Sequence, residues 1–459
     1  MFGLAGGLCV DTTDVPMKNT LIHPPCAVVS FVAALVCAAT VPSVRAQLVP
    51  EYEEPPIRYS DTPADNLATK IERQWQAGKL EGMEQYGKPM LSGFLKAFGI
   101  PEASQTLVFS KTSLQLSKIG PSTPRAIYFN EDAYLGWSYG GIYELTVNDP
   151  KLGLVFYEVD PFKVRIKRSK DCLSCHGGSR TGYWPGVLVR SVFPHPDGHP
   201  MTQAGGFVIG HDSPMEKRWG GWYVTGKHGD SRHMGNEIAK LEGNDASIDT
   251  DAGANLSDLS DKFDTKMHLR PDSDIVALMT LEHQCEMHNR LSRSMLRVRK
   301  WADYQKNIYK ALGEEAPDEP AGTLLTVLNG ARDDLVEYLL FKDEVALPDG
   351  GISGTGDFEK AFRKNRVVDP EGRSLKDFDL NTRLFKYRCS YMIYSEAFDH
   401  LPVILKRAVY ARLFEILESE EPPEDYRHLP SRERRAIAEI LLATKPEIQG
   451  LLGRTAGAD

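Results

Sequence analysis

The sequence lacks the charge balance of a protein that binds nucleic acid. Its 459 residues include 54 Lys and Arg against 63 Asp and Glu, which gives a formal net charge of −9 at pH 7. Phosphate backbones and anionic membrane surfaces repel such a chain, so neither is expected as its main partner. Hydrophobic residues make up 41% of the sequence and charged residues 25%, as is ordinary for a globular protein of two or three domains.

Hydrophobic runs long enough to span a bilayer comfortably are also missing. The apolar segment at residues 27–39 is too short for that, but it follows Lys18 and precedes a small-x-small tripeptide at residues 44–46. This order is typical of a secretory leader. Residues 1–46 are therefore predicted to be a signal peptide, with retention as a membrane anchor as the alternative.

Cysteine is scarce, with seven residues in the whole chain. Three of them precede residue 47, and cleavage there would leave four. Cys285 and Cys389 could either pair in an oxidising compartment or remain as buried free thiols, and the sequence leaves both options open. The other two are Cys172 and Cys175. A zinc knuckle needs a second ligand pair at close spacing, and no second CxxC occurs in the chain.

The pentapeptide at residues 172–176, Cys-Leu-Ser-Cys-His, carries the strongest chemical signal in the sequence. Two thiols separated by two residues match the spacing of the two porphyrin vinyl groups, with which they form thioether bonds. The histidine that follows them supplies a neutral imidazole as axial ligand to iron. A thioredoxin-like redox pair is disfavoured, because the Pro- and Gly-punctuated surroundings do not resemble a βαβ unit.

With a leader upstream, this motif resembles that of bacterial c-type cytochromes. The resemblance implies one covalently attached haem c, bound by Cys172 and Cys175, with His176 as the metal ligand. Residues 218–223 and 390–394 are similar to segments of large, single-haem bacterial envelope proteins. The chain is several times longer than the small soluble cytochromes and carries its motif mid-chain. These two differences argue against a role as a simple electron shuttle.

The sixth iron ligand is not specified by the motif. Residues 211–236 combine aromatic rings, glycines and potential ligands, and are predicted to line the haem. The candidates for the sixth ligand are His211, His228, His233, Met234, His283 and His288, with a slight preference for the neighbourhood of His233 and Met234. The last two histidines lie on a predicted helix, where a role in the core is the simpler interpretation.

The pattern of elements predicts an α+β fold. After a flexible leader at residues 47–60, a mixed α/β haem c domain is expected at residues 61–264 and an α-helical domain at residues 265–459. Helices are predicted at 65–76 and 90–98, from Asp274 onwards, at 402–417 and from Ser431. Strands are predicted at 106–109, 126–129, 143–147, 154–159, 187–193 and 206–210. The basic segment at residues 164–168 is interpreted as an edge strand, with a docking patch for a redox partner as the alternative.

One-electron transfer in the bacterial periplasm is the first functional prediction, with a redox partner protein in the periplasm or inner membrane. The alternative is an open-site haem c enzyme or sensor that acts on a small oxidant or gas. The β-rich, aromatic unit before the motif resembles sensor-type and P460-type haem domains, which favours this alternative. A third hypothesis is an interaction protein with a structural haem. The sequence predicts no oligomeric state.

Overall fold

A computed structural model describes residues 49–243 and 245–453, and it confirms the α+β class. The predicted signal peptide lies outside the described residues. The strands are β1 Thr106–Val108, β2 Arg125–Phe129, β3 Ala133–Trp137, β4 Tyr143–Asp149, β5 Gly153–Asp160, β6 Arg165–Arg168, β7 Arg190–Val192, β8 Gly206–Val208, β9 Trp222–Tyr223, β10 Lys240–Glu242 and β11 Asp245–Ser247. The helices are α1 Leu67–Gln76, α2 Lys88–Phe98, α3 Leu173–His176, α4 Ile275–Leu312, α5 Gly322–Leu339, α6 Phe358–Phe362, α7 Glu396–Asp399, α8 Val403–Glu418, α9 Ser431–Thr444 and α10 Glu447–Leu451.

A seven-stranded antiparallel sheet forms the centre of the first half, in the order β6-β5-β4-β3-β2-β1-β9. One of its faces is covered by α1 and α2. Tyr143 of β4 packs edge-on against Phe94 of α2, with ring centroids 5.5 Å apart, and the Asn66 side chain that caps α1 donates to the hydroxyl of Tyr157. These contacts place Tyr143 and Tyr157 on the face of the sheet that α1 and α2 cover.

The opposite face of the sheet receives α4, the longest helix. Asp274 caps its start by accepting hydrogen bonds from the backbone of Val276 and Ala277, so the helix begins where the sequence predicted. The helix approaches β5 closely at Gly153, where a Cβ atom would lie 1.8 Å from the Ser292 hydroxyl oxygen. Only glycine fits there, since the backbone also has a φ of +68°.

The helical second half packs α5 against α4 and α8, and α8 against α9. Most of the buried hydrophobic side chains of the described residues form one continuous core, which runs across residue 264. The division into two domains at that residue stays a prediction. Among the described helices, none combines the length and the apolar sequence needed to cross a membrane.

Several local predictions differ from the observed elements. The strands β3, β9, β10 and β11 were not predicted. Strand β3 is buried along its whole length and so shows no alternation of polar and apolar residues. The strand predicted at residues 187–193 is confined to β7. The predicted flexible leader is packed where it is described, because Tyr52, Ile57 and Tyr59 are buried. Strand β6 does lie at the sheet edge, with Arg165 and Lys167 exposed, as the edge-strand interpretation of this basic segment expects.

Candidate haem site

A cavity of about 850 Å³, part of it open to solvent, lies between the sheet and the CxxCH segment. Most residues of its sheet wall come from one face of the strands. On β2 and β4 these are the half-buried positions 125, 127, 144 and 146, and the buried Leu145 also borders the cavity. Because side chains alternate along a strand, one face of the sheet packs against α1 and α2, and the other face contacts α4 and borders the cavity.

The CxxCH segment forms the short helix α3 at one side of this cavity. Both cysteines line the cavity as free thiols, with Cys172 half-buried and Cys175 exposed. Burial raises the pKa of the Cys172 thiol, and a hydrogen bond with Ser169 opposes that shift. One helical turn thus presents both sulfur atoms and the imidazole that follows them to a single space.

His176 is held in a defined orientation. Its Nδ1 lies 2.8 Å from the carbonyl oxygen of Gly186, and its ring packs 4.8 Å from that of Phe156 on β5. Desolvation in the cavity wall lowers the pKa of the imidazole, and the bond to Gly186 opposes this shift. A neutral ring that donates from Nδ1 keeps its lone pair on Nε2. This is the tautomer that binds a metal through Nε2.

Helix α4 supports this orientation through Asn289. The amide of Asn289 makes two hydrogen bonds to the backbone of Val187: its oxygen accepts from the N–H at 2.8 Å and its nitrogen donates to the carbonyl at 2.6 Å. Val187 follows Gly186 directly, and the N–H of Gly186 in turn donates to the carbonyl of His176 at 2.8 Å. A buried amide on a long helix therefore fixes the segment that positions the imidazole.

A charged pair lies on the sheet wall of the cavity. Arg125 of β2 reaches across β3 to Glu144 of β4, with Nη2 and Oε2 2.5 Å apart. The guanidinium crosses β3 at Gly136, where a Cβ atom would lie 2.3 Å from Nη2. Glu144 also accepts a hydrogen bond of 2.8 Å from the hydroxyl of Ser113. After the larger effects of burial and of Gly186, Arg125 lowers and Glu144 raises the pKa of His176, so the pair acts on the imidazole electrostatically.

None of the six candidate sixth ligands lines this cavity. His211 and His283 stack in the core with their Nδ1 atoms 2.9 Å apart, and His283 also bonds Ser390 at 2.8 Å. His288 faces the hydroxyl of Tyr134 at 3.2 Å.

The remaining three candidates belong to the loop at residues 211–236. The rings of His228 and His233 lie 4.7 Å apart, and the sulfur of Met234 lies 3.5 Å from the hydroxyl of Ser191. From this segment only Trp222, on β9, lines the cavity. The prediction that the segment lines a haem stays a prediction.

Cys285 lines the cavity from α4, whereas Cys389 lies elsewhere in the core, and both are free thiols. Cys285 and His288 have CxxH spacing, a second ligand-type pair in the chain. His288 does not line the cavity, and within the described part of the chain no group of three or more His, Cys, Asp or Glu side chains could hold a metal ion. A zinc site is therefore not supported there.

The residues around the cavity fit a haem c. Two thiols at vinyl spacing, an oriented neutral imidazole and walls that include Ile127, Phe156 and Leu281 offer the covalent, axial and apolar contacts that such a cofactor uses. Cys172, Cys175 and His176 would hold it. Sequence reasoning found these three residues but missed Arg125, Glu144 and Asn289. Their positions at the cavity cannot be predicted from local sequence, because they depend on strand register and on contacts between residues more than 100 positions apart.

Comparisons with known proteins add no further assignment. No protein-family model, no curated protein and no solved structure gives a significant match to this chain. The cavity, the CxxCH segment that borders it and the side chains around it are therefore the basis on which a function is proposed.

Proposed function

We propose that this chain is a haem c protein with an open distal side, which acts on a small oxidant or gas as an enzyme or sensor. One observation carries the proposal: among the described residues, His176 is the single His or Met that lines the cavity. A bound haem supplies an iron that exchanges one electron and takes a small ligand wherever the protein provides no second axial side chain. The alternative raised from the sequence is thus the function that the geometry supports best.

The chain's own residues have separate roles in this proposal. Cys172 and Cys175 would hold the cofactor covalently, and His176 would ligate through Nε2 while its Nδ1–H donates to Gly186. Phe156 and Leu281 provide apolar wall, which would limit the access of water to a bound haem. This arrangement would leave the cofactor open to ligands that are small enough to enter the cavity.

Electron transfer, the first prediction from the sequence, remains the second candidate. It is favoured by the exposure of Ser174 and Cys175, which brings the attachment segment to the protein surface. A haem attached close to the surface would have a short distance for electron transfer to a redox partner. The two candidates differ in the distal side of the iron, since a six-coordinate carrier needs a further side-chain ligand.

The cellular setting belongs to the proposal as well. The leader at residues 1–46 directs the chain to the bacterial periplasm, where haem is attached to exported CxxCH proteins. A redox partner protein in the periplasm or inner membrane would deliver or remove the electrons.

The optical spectrum of the ferrous protein, with and without carbon monoxide, tests the open site. We expect high-spin bands that shift as soon as carbon monoxide is added. Leu replacement of Met234 and Ala replacement of His233 serve as controls and should leave the spectrum unchanged. Sharp low-spin bands that carbon monoxide does not alter would contradict the open site and favour the carrier.

A further inference from the structure

The Arg125 guanidinium is incompletely satisfied where it lies. It contacts Glu144, but the contact does not have hydrogen-bond geometry, and the buried Nε–H of Arg125 has no hydrogen-bond partner among the described residues. A buried charged donor without a partner is costly, and the partly exposed Arg125 side chain lines the cavity, so its guanidinium is placed to bind a group there.

The position of the guanidinium is fixed by its surroundings. Gly136 provides the gap in β3 that the side chain crosses, and Ser113 holds the far oxygen of Glu144. Only about a fifth of each charged side chain remains exposed. The pair is therefore a preorganised part of the wall, with its charge in a partly desolvated space, where electrostatic interactions are stronger than in water.

We propose that Arg125 binds an anionic group inside the cavity, through charge-assisted hydrogen bonds from its guanidinium. This inference rests on the proposed function, because it makes the haem cavity selective for anions. The anionic group has two sources with the same chemistry: a carboxylate of the cofactor itself, or a small soluble anion that enters the distal space. A planar, permanently charged donor fork suits either of them.

The test compares Arg125→Gln with the unmodified, haem-loaded protein in the ferric state. Fluoride serves as the anionic probe and imidazole as the neutral probe, with both affinities read from optical titrations at pH 7. If the site takes a soluble anion, the substitution weakens fluoride binding about tenfold or more and leaves imidazole binding unchanged. If the site holds a cofactor carboxylate, the substitution leaves the affinities for fluoride and imidazole unchanged and shifts the reduction potential measured without added anions.

Two further variants separate binding from folding. Arg165→Gln removes an exposed arginine of the edge strand and should change neither readout. Arg125→Lys keeps the positive charge and should restore part of the lost affinity or potential shift. Unchanged fluoride affinity together with an unchanged potential in Arg125→Gln overturns the proposal.

Failure of the proposed function itself has different signatures. If the iron site is closed, the unmodified ferric protein binds neither fluoride nor imidazole, and the reduction potential alone tests Arg125. If no haem is attached, the purified protein shows no haem absorption. The same proposal is tested on that protein by adding sodium formate and following its midpoint of thermal unfolding. We expect formate to raise the midpoint of the unmodified chain and not that of Arg125→Gln. An equal rise in both proteins overturns the anion site independently of the haem.

Discussion

At the scale of single residues, the orientation of His176 depends on a side chain that never touches it. Asn289 binds both backbone groups of Val187, and the adjacent Gly186 bonds both the imidazole and the carbonyl of His176. The series of contacts runs from Asn289 on α4 to Nδ1 of the His176 ring. Such outer contacts set the basicity of a metal ligand as well as its direction.

Replacement of Asn289 by Ala should therefore affect both stability and redox behaviour. Two backbone groups of Val187 lose their partners, so we expect the free energy of unfolding to fall by about 1–3 kcal/mol. A looser bond from His176 to Gly186 makes the imidazole a weaker donor to ferric iron, so the reduction potential should become more positive. Denaturant unfolding and a potentiometric titration measure the two effects.

The control for this prediction is Asn307→Ala on the same helix. Asn307 is exposed and bonds only the nearby carboxylate of Asp303. It should change neither quantity. Loss of stability in Asn289→Ala without any change of potential would contradict a positioning role and leave a purely structural one.

At the scale of elements, α4 links the two halves of the chain. It begins at Asp274, whose carboxylate accepts from Val276 and Ala277 and also from the N–H of Gly356, 2.9 Å away. The same helix supplies Asn289 and two residues of the cavity wall, Leu281 and Cys285. Its N-terminal cap therefore supports the fold and the cavity together.

We expect Asp274→Ala to lower the free energy of unfolding by about 1–2 kcal/mol, because helix and loop donors lose a buried acceptor. Asp274→Asn keeps one oxygen acceptor for Val276 and Ala277 but loses the second oxygen, which accepts from Gly356, so it should lose less than Asp274→Ala. Asp264→Ala, at an exposed aspartate that caps only the short helical turn at Thr265–Met267, is the matched control. Equal losses for the Ala and Asn variants of Asp274 would show that the cap is not the cause.

The sequence was informative wherever local chemistry decides the structure. Helix α1 was predicted from its apolar spacing, α4 was placed at its cap, and the CxxCH segment identified three cavity residues by their spacing alone. Strand β3 was missed because a strand buried on both faces has no alternating pattern. The sixth-ligand candidates were chosen by residue type, which does not report position in the fold. The contact between Arg125 and Glu144 depends on the register of three strands, so it could not be predicted from the local sequence.

At the scale of the whole molecule, buried histidines govern the response to pH. Burial lowers the pKa of His211, His233 and His288 to about 3 and that of His268 to about 4, and it also lowers the pKa of His283 well below its usual value. Between about pH 6.5 and pH 4 these five histidines stay mainly neutral in the folded chain, whereas the same histidines take up protons in the unfolded chain. Their contribution to stability is therefore complete above about pH 6.5 and is lost as the pH falls towards 4.

Acids with a raised pKa act in the opposite direction. Burial raises the pKa of Asp132 and of Glu344 to about 7, so their contribution is complete below the usual carboxyl range and is lost as the pH rises towards 7. Among the described residues, seven histidines have a lowered pKa and four acids a raised one, so we expect a net loss of stability on acidification, with each histidine contributing up to about 1.4 kcal/mol per pH unit.

His268→Phe isolates one of these contributions. Neither ring nitrogen of His268 has a hydrogen-bond partner among the described residues, and the ring packs edge-on against Trp137 and Phe263. We expect the variant to be more stable than the unmodified protein at pH 5 and its stability to depend less steeply on pH between 6.5 and 4. His400→Phe, at an exposed site, is the control. An unchanged pH slope in His268→Phe would contradict this account.

In the proposed function one haem is joined to Cys172 and Cys175, and the intact mass of the denatured protein tests this attachment most directly. The protein should be matured in a host that attaches haem to exported CxxCH chains. We predict the mass of the chain plus one haem, and the mass of the chain alone when both cysteines are replaced by Ala. An unmodified protein that keeps both thiols free after this maturation would contradict the claim.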